Sequence, residues 1–210
     1  MLKNINKVVR VIVTADFFYN SAFAAFGPVF AIFVINNIQG GSARVAGLAT
    51  AIFWITKSIF QLPIARFLDK TDGERDDFWA MFLGYLFSGL VPLFYIFATE
   101  PAHLYLIQMF YGLVMAWAVP AWYSIFTRHV DKWRISFEWS LESVFAVGIA
   151  AAVASALGGY VADIFGFKVL FLISGLMSIF ASLLLLLLKK DLRTRAKDER
   201  VMPELPKQRY

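Results

Sequence analysis

Apolar residues along this chain gather into six stretches, each close to the twenty residues that an α-helix needs to cross a bilayer. They run over about 9 to 35, 45 to 66, 78 to 98, 103 to 127, 136 to 162 and 168 to 188, and are numbered here as spans 1 to 6. Polar and charged residues concentrate in the short connections, in the first eight residues and in a tail over 189–210. The pattern predicts an all-α membrane protein with both termini on one side, because six crossings return the chain to the side it started from. Span 1 contains an "AFAA" stretch that resembles a signal cleavage site. Asp16 and Asn20 interrupt its apolar run, however, and the run is too long, so span 1 is read as a retained helix.

Lys and Arg orient the chain, because basic residues beside membrane spans are held in the cytoplasm. With the N-terminus inside, seventeen of the 20 fall on the cytoplasmic side. They are Lys3, Lys7 and Arg10, then Arg66, Lys70 and Arg75, then Arg128, Lys132 and Arg134, and eight from Lys189 onward. Only Arg44 and Lys168 fall outside, while Lys57 lies within span 2. The expected placement is therefore in a plasma (inner) membrane, with both termini cytoplasmic. The stretch "ARFLDKTDGERDD", Ala65 to Asp77, joins spans 2 and 3, and eight of its thirteen residues are charged. Its three bases serve as a positive-inside anchor. Its five acids are left unexplained, since Asp and Glu contribute little to orientation.

Composition removes several classes of function. Hydrophobic residues make up 60% of the chain and charged ones 17%, against roughly 25% charged in a soluble domain. The basic tail "KKDLRTRAKDER" has no interleaved aromatic residues to stack on bases, so it is read as a membrane-surface anchor rather than a nucleic-acid site. Without cysteine there is no disulfide, thiolate metal site or Cys nucleophile. His103 and His129 fall near opposite faces, and no nucleophile–base pair is visible. The expectation is a non-enzyme with no cofactor or metal, whose surroundings are lipid and whose ligand is a small molecule.

Insertion energies sort the spans. A Lys, Arg or Asp near the bilayer centre costs about 2.5 to 3.5 kcal/mol, and a Leu, Ile, Phe or Val returns about 0.3 to 0.6 kcal/mol. Span 6, with six consecutive Leu, inserts easily, and span 3 carries no charge. Span 2 returns roughly 4 kcal/mol against the cost of Lys57, Gln61, Ser58 and two Thr, so it is marginal and calls for shielding. Spans 3 and 6 are expected to face lipid and spans 1, 2, 4 and 5 to form the interior. At 1.5 Å per residue, Asp16 lies about 9 Å beyond Arg10, Lys57 about 13 Å beyond Arg66 and Glu142 about 12 Å beyond Arg134. Two acids and a base at one level can neutralise each other, although each of them, and Glu138, has snorkelling as its alternative. Asn20, four residues after Asp16, extends the same polar face. Gln108, Tyr111, Met115 and Trp122 lie close to one stripe of span 4, with Trp122 either an interfacial anchor or a solute contact.

A second stretch, "GYVADIFGFK", repeats the spacing of the charged connection at the other side of the membrane. Ala65, Asp69, Gly73 and Arg75 correspond to Gly159, Asp163, Gly166 and Lys168. Spans 1 and 4 also correspond, through interruptions expected at Gly27–Pro28 and at Pro120. Matched interruptions in two halves point to a transport site, and the order of the halves makes an inverted 3+3 repeat. Asp69, Lys70, Gly73, Glu74 and Arg75 resemble the charged loop between helices 2 and 3 of the major facilitator superfamily, written G-x-x-x-D-R-x-G-R-R. "GGYVADIFGFKVLF" resembles that family's junction of helices 5 and 6, and Gly47, Gly112, Pro120 and Gly148 fall where members carry them. Ala65 departs from the loop glycine, one extra residue separates Asp69 from Gly73, and Gln108 stands where many members have arginine.

The resemblance covers the chain to about Lys190, one six-helix half of a twelve-helix fold. It implies a secondary transporter of a small solute working by alternating access as a parallel homodimer, proton-coupled through Asp16. The alternative is a non-transporting scaffold or subunit that pairs with another half. It also implies a gating latch of Asp69, Lys70, Gly73, Arg75 and Arg128, in which Asp69 meets Arg128 or a helix end of the second half. Helix 2 of one half would lie against helix 5 of the other, bringing Lys57 to Glu142 or Glu138 of the partner. The competing partner for Lys57 is Asp16 of the same chain.

Overall fold

The computed structural model describes residues 5–70 and 74–192. Gly73 of the expected latch and the tail from residue 193 lie outside them. Among the described residues the protein is all helix, and six helices are long and apolar enough to cross a membrane. Span 1 is α1 (Lys7–Phe26) followed by a short α2 (Phe30–Asn37), and span 2 is α3 (Ala43–Leu68). Span 3 is α4 (Arg75–Ser88) continued by α5 (Leu90–Tyr95), and span 4 is α6 (Pro101–His129). Span 5 starts as α7 (Ile135–Leu141), widens into a π-helix over Glu142–Ile149 and returns to α8 (Ala150–Phe165). Span 6 is α9 (Phe167–Leu185), closed by a 3₁₀ turn over Leu186–Leu188.

Side chains start these helices where the backbone donors lack partners. Asn6 caps α1 by accepting from the Val8 amide at 2.9 Å, and Ser42 caps α3 by accepting from Val45 at 3.3 Å. Asn6 also donates to the Val130-side end of α6, at the His129 carbonyl (3.2 Å), which ties the start of span 1 to the end of span 4. The turn between spans 5 and 6 passes through Gly166 at φ 81°, a conformation that costs a residue with a Cβ.

The proline positions behave differently from the expectation. Gly27–Pro28 does break span 1. Pro120, by contrast, sits inside an uninterrupted 29-residue helix, and Pro63 sits inside the uninterrupted 26-residue α3. The irregular element in the second half is the π-helix of span 5, a feature with no single-residue signature of the kind that proline provides.

Span 1 packs on spans 5 and 6, span 2 on span 4, and span 3 on spans 4 and 6. These contacts are close because small residues meet at the crossings, the usual device where lipid supplies no hydrophobic drive between helices. A Cβ on Gly158 would enter the backbone of Ala25, and one on Gly112 would lie 2.8 Å from the Phe53 carbonyl oxygen. Burial within the six-helix unit differs from span to span. Spans 3 and 6 bury a large part of their surface inside the unit, whereas span 2 is the most open and span 5 the next. The chain itself does not shield span 2.

Candidate functional site

The site is built around Asp16, midway along α1, whose side chain is 2% exposed. A carboxylate at that depth requires donors, and two neighbouring spans supply them. The Tyr85 hydroxyl of α4 donates to Oδ1 at 2.5 Å, and the Trp122 indole N–H of α6 donates to Oδ2 at 2.6 Å. An indole nitrogen can only donate, so Oδ2 is an acceptor in this arrangement. The Glu142 carboxyl, at the first residue of the π-helix, interacts with Asp16. Glu142 is 6% exposed, and its buried Oε2 meets no donor among the described residues.

Around this acid pair lies a cavity of about 190 Å³, lined by Asp16, Tyr19, Asn20, Tyr85, Met115, Ala118, Val119, Trp122, Tyr123, Glu142 and Val147. Asn20, one turn beyond Asp16, donates to the Ala146 carbonyl at 3.0 Å and so pins span 1 to the π-helical segment. Phe17 reinforces the same contact by stacking on Phe145 with ring centroids 4.8 Å apart. π-Helical turns inside α-helices recur at functional sites. Here the turn carries one acid of the pair and the carbonyl that receives Asn20.

An aromatic column leads away from the acids. Tyr85 stacks on Tyr19 at 4.1 Å, Tyr19 meets Phe23 at 4.9 Å, Phe23 stacks on Tyr111 at 5.0 Å, and Tyr111 stacks on Phe53 at 4.5 Å. The Tyr19 hydroxyl donates to the Met115 sulfur at 3.0 Å and lies 3.4 Å from the Tyr111 hydroxyl. On the other side Trp122 stacks on Phe126 at 4.9 Å. Each ring in this column has its polar atom engaged or its faces covered, as buried aromatic residues require.

The expected site residues separate into groups. Asp16, Asn20, Met115 and Trp122 line one cavity, and Tyr111 joins them through Tyr19. Trp122 acts here as a donor to a buried carboxylate, not as an interfacial anchor. Gln108 does not join them. It is buried beside Tyr95, which packs in a second apolar cluster with Phe26, Phe33 and Phe171. Tyr19 and Tyr85 are lining residues that the stripe on span 4 did not reveal. For Tyr85 the one available signal was chemical, a hydroxyl at mid-depth in a span without a charge, and for Tyr19 it was its place three residues after Asp16.

Lys57 stands apart. Its ammonium lies over the Trp54 ring, 4.9 Å from the centroid, and is in no ion pair among the described residues. Asp16 is therefore not its partner within the chain. Glu138 is fully buried, accepts from the Asp131 amide at 3.1 Å through Oε2, and leaves Oε1 without a donor. In this conformation Glu138 and Glu142 are both turned into their own bundle.

At the end of the bundle near residues 66–77, Arg128 pairs with an acid other than Asp69. Its guanidinium donates to Asp77 Oδ2 at 3.0 Å, and the Ser124 hydroxyl donates to the same oxygen at 2.7 Å. Asp77 occupies the first turn of α4, where its carboxylate also complements the helix dipole. Asp69 and Lys70 are exposed at the end of α3, and Arg75 is exposed at the start of α4. Of the expected latch residues, Asp69 and Arg128 share a cavity wall with Asp77, and the ion pair to Arg128 is made by Asp77. The neighbouring Glu74 carboxylate is buried, 3.6 Å from the His129 ring nitrogen that also contacts the Ile125 carbonyl.

Residues 12–208 match the sequence model of the Major Facilitator Superfamily. One solved structure, an in meso crystal structure of the POT family transporter PepTSo, superposes with a TM-score of 0.68 at 16% identity. The superposition covers 97% of this chain and 40% of that one, so the chain spans well under half of that relative. At such an identity the likeness is one of fold. Among curated proteins, none matches the chain.

Proposed function

The chain belongs to the Major Facilitator Superfamily, and from that premise we propose that it is a six-helix unit of a secondary transporter for a small solute, coupled to protons through Asp16 and Glu142. The observation that carries the proposal is the acid pair itself. Two carboxyl groups side by side in a membrane interior repel when both are ionised, and such a pair can hold one proton between them. Intramembrane carboxyls that face a cavity mark proton and ion pathways. Tyr85 and Trp122 hold Asp16 in place, while Glu142 sits on the π-helical turn, where a small change in winding alters its distance from Asp16.

The second six-helix unit is proposed to lie against spans 2 and 5. The open faces of these spans and the lone ammonium of Lys57 support that reading. In the family the two halves are related by an axis along the membrane normal, so a second copy in parallel would satisfy the geometry, with both termini in the cytoplasm as the Lys and Arg bias argues. The cluster of Asp69, Lys70, Arg75, Asp77 and Arg128 would then close one mouth.

The test is reconstitution of the purified protein into vesicles with a pH-sensitive dye inside, followed by a panel of small solutes applied across a proton gradient. Solute-dependent proton movement that is lost in Asp16→Asn is expected. Solute movement insensitive to the gradient and unchanged in Asp16→Asn would remove the coupling. A protein that moves none of the panel, yet co-purifies with another six-helix protein, would make this unit a scaffold.

A further inference from the structure

We propose that the solute held at the Asp16 cavity is an organic cation with an aromatic body, and that it competes there with a proton. The inference rests on the transporter reading above and adds the chemical class of the solute. Its ground is the charge balance of the cavity wall. Among the described residues two acids line the cavity, and no Lys, Arg or His does. The titratable groups facing the acids are all tyrosines: Tyr19 from span 1, Tyr85 from span 3 and Tyr123 from span 4, with Tyr111 behind Tyr19. Span 2 offers Lys57 to Trp54 rather than to the cavity, and span 6 has no ionisable residue beyond Lys168 at its far end.

The hydrogen-bond inventory points the same way. Tyr85 and Trp122 spend their donors on Asp16, Asn20 donates to the Ala146 carbonyl, and Tyr19 donates to the Met115 sulfur. An anionic solute would therefore add negative charge to a pair that already carries it and find these donors already taken. A cation supplies what Glu142 Oε2 lacks, a positive partner at a buried oxygen that has no donor among the described residues. The rings of Tyr19, Tyr85 and Trp122 offer the aromatic surface that attracts cations and packs on flat apolar bodies. A cavity of about 190 Å³ suits a small ring system.

Occupancy by the cation and by the proton exclude each other. When a monovalent cation enters, the O–H bond of the protonated carboxyl breaks, the proton leaves to water, and the freed carboxylate pairs with the cation. The site's net charge is unchanged. A site that carries either the cation or the proton, but not both, drives them in opposite directions across the membrane, so the coupling is exchange. By linkage, displacement of one proton raises cation affinity by about tenfold per pH unit while the pair is protonated.

The test is calorimetry on the purified chain with 1-methyl-4-phenylpyridinium, a permanent cation without a titratable proton. Biphenyl-4-carboxylate serves as the anion of like shape, and 4-phenylpyridine as the compound that is neutral at about pH 8. The cation alone is expected to bind, releasing about one proton per molecule as read from heats in two buffers of different ionisation enthalpy. Glu142→Gln should weaken binding at least tenfold and abolish the release, while Glu142→Asp keeps the release and Tyr160→Phe, on the exposed face of span 5, changes neither. Binding of the anion or the neutral compound as tight as that of the cation would overturn the inference. Cation binding without proton release, or no cation binding, would do the same. If the vesicle assay nonetheless finds another solute moving with protons, the transporter reading stands and only the cation class falls.

Discussion

Spans 1 and 2 each carry a charged residue at mid-depth, and the bundle treats them in opposite ways. More than half of the span 1 window is buried (56%), against 11% for span 2. Asp16 receives two short hydrogen bonds from two other helices, whereas Lys57 has one tryptophan face and no counter-ion among the described residues. The six-helix unit satisfies its central acid internally and leaves its central base to whatever lies beyond its outer face. Orphaning an ion that is already buried costs several kcal/mol, while removing one that reaches water or headgroups costs little. The comparison therefore ranks the substitutions that probe it.

The largest effect is expected at the crossing that seats span 1. Gly158→Leu drives a side chain into the backbone of Ala25 and should abolish recovery of folded, monodisperse protein. Gly159→Ala, one residue on and facing open space, should leave yield and helicity unchanged. Equal tolerance at both positions would mean that span 1 is not held as described.

Next is Asp16→Asn, which should eliminate gradient-driven accumulation while leaving solute exchange, because exchange requires no net protonation cycle. Equal loss of both would make Asp16 structural. Tyr85→Phe is expected to be intermediate. It deletes one hydrogen bond to a charged group and should cost about 1.5 to 3 kcal/mol in reversible denaturation. In the Asp16→Asn background the same change should cost visibly less, the mark of a coupled pair.

Smaller still is Arg128→Gln. The Arg128 side chain is 38% exposed but that of Asp77 is 4% exposed, so the change leaves a buried carboxylate with the Ser124 hydroxyl as its remaining side-chain donor among the described residues. Stability should fall measurably, while the pH or gradient dependence of transport reports any latch. The smallest effect belongs to Lys57→Met in the isolated chain, with no measurable loss of stability. Cysteines introduced by Lys57→Cys and Glu142→Cys, in a chain that has none of its own, would cross-link between copies if a second copy supplies the counter-ion. Destabilisation of the isolated chain by Lys57→Met would show an intrachain role and break the contrast with Asp16.

Much of this architecture is legible in the sequence because bilayer crossing imposes length and polarity on each helix separately. The same local rule brought out Asp16, Asn20, Met115 and Trp122, whose spacing puts them on one face of their own helices. What was not legible depends on rotation between helices. Depth placed Asp16, Lys57 and Glu142 on one level, but depth carries no azimuth, and Lys57 turned out to point elsewhere. Asp77 replaced Asp69 at Arg128 because the family loop pattern ends before it, and a helix-start acid is better placed to reach span 4. Pro120 kept its helix intact, and the π-helix that shapes the site has no counterpart among the residues that break helices on paper.

The hydrogen bond from Trp122 to Asp16 has one further consequence. An indole whose N–H rests on a carboxylate senses that group's charge in its excited state, so its emission colour and yield shift when the carboxylate gains a proton or the hydrogen bond breaks. The protein has six tryptophans, and replacing the other five with phenylalanine would leave a native chromophore at the centre of the bundle. Such a variant would report the state of the acid pair optically, without an added label, on the timescale of a stopped-flow pH jump.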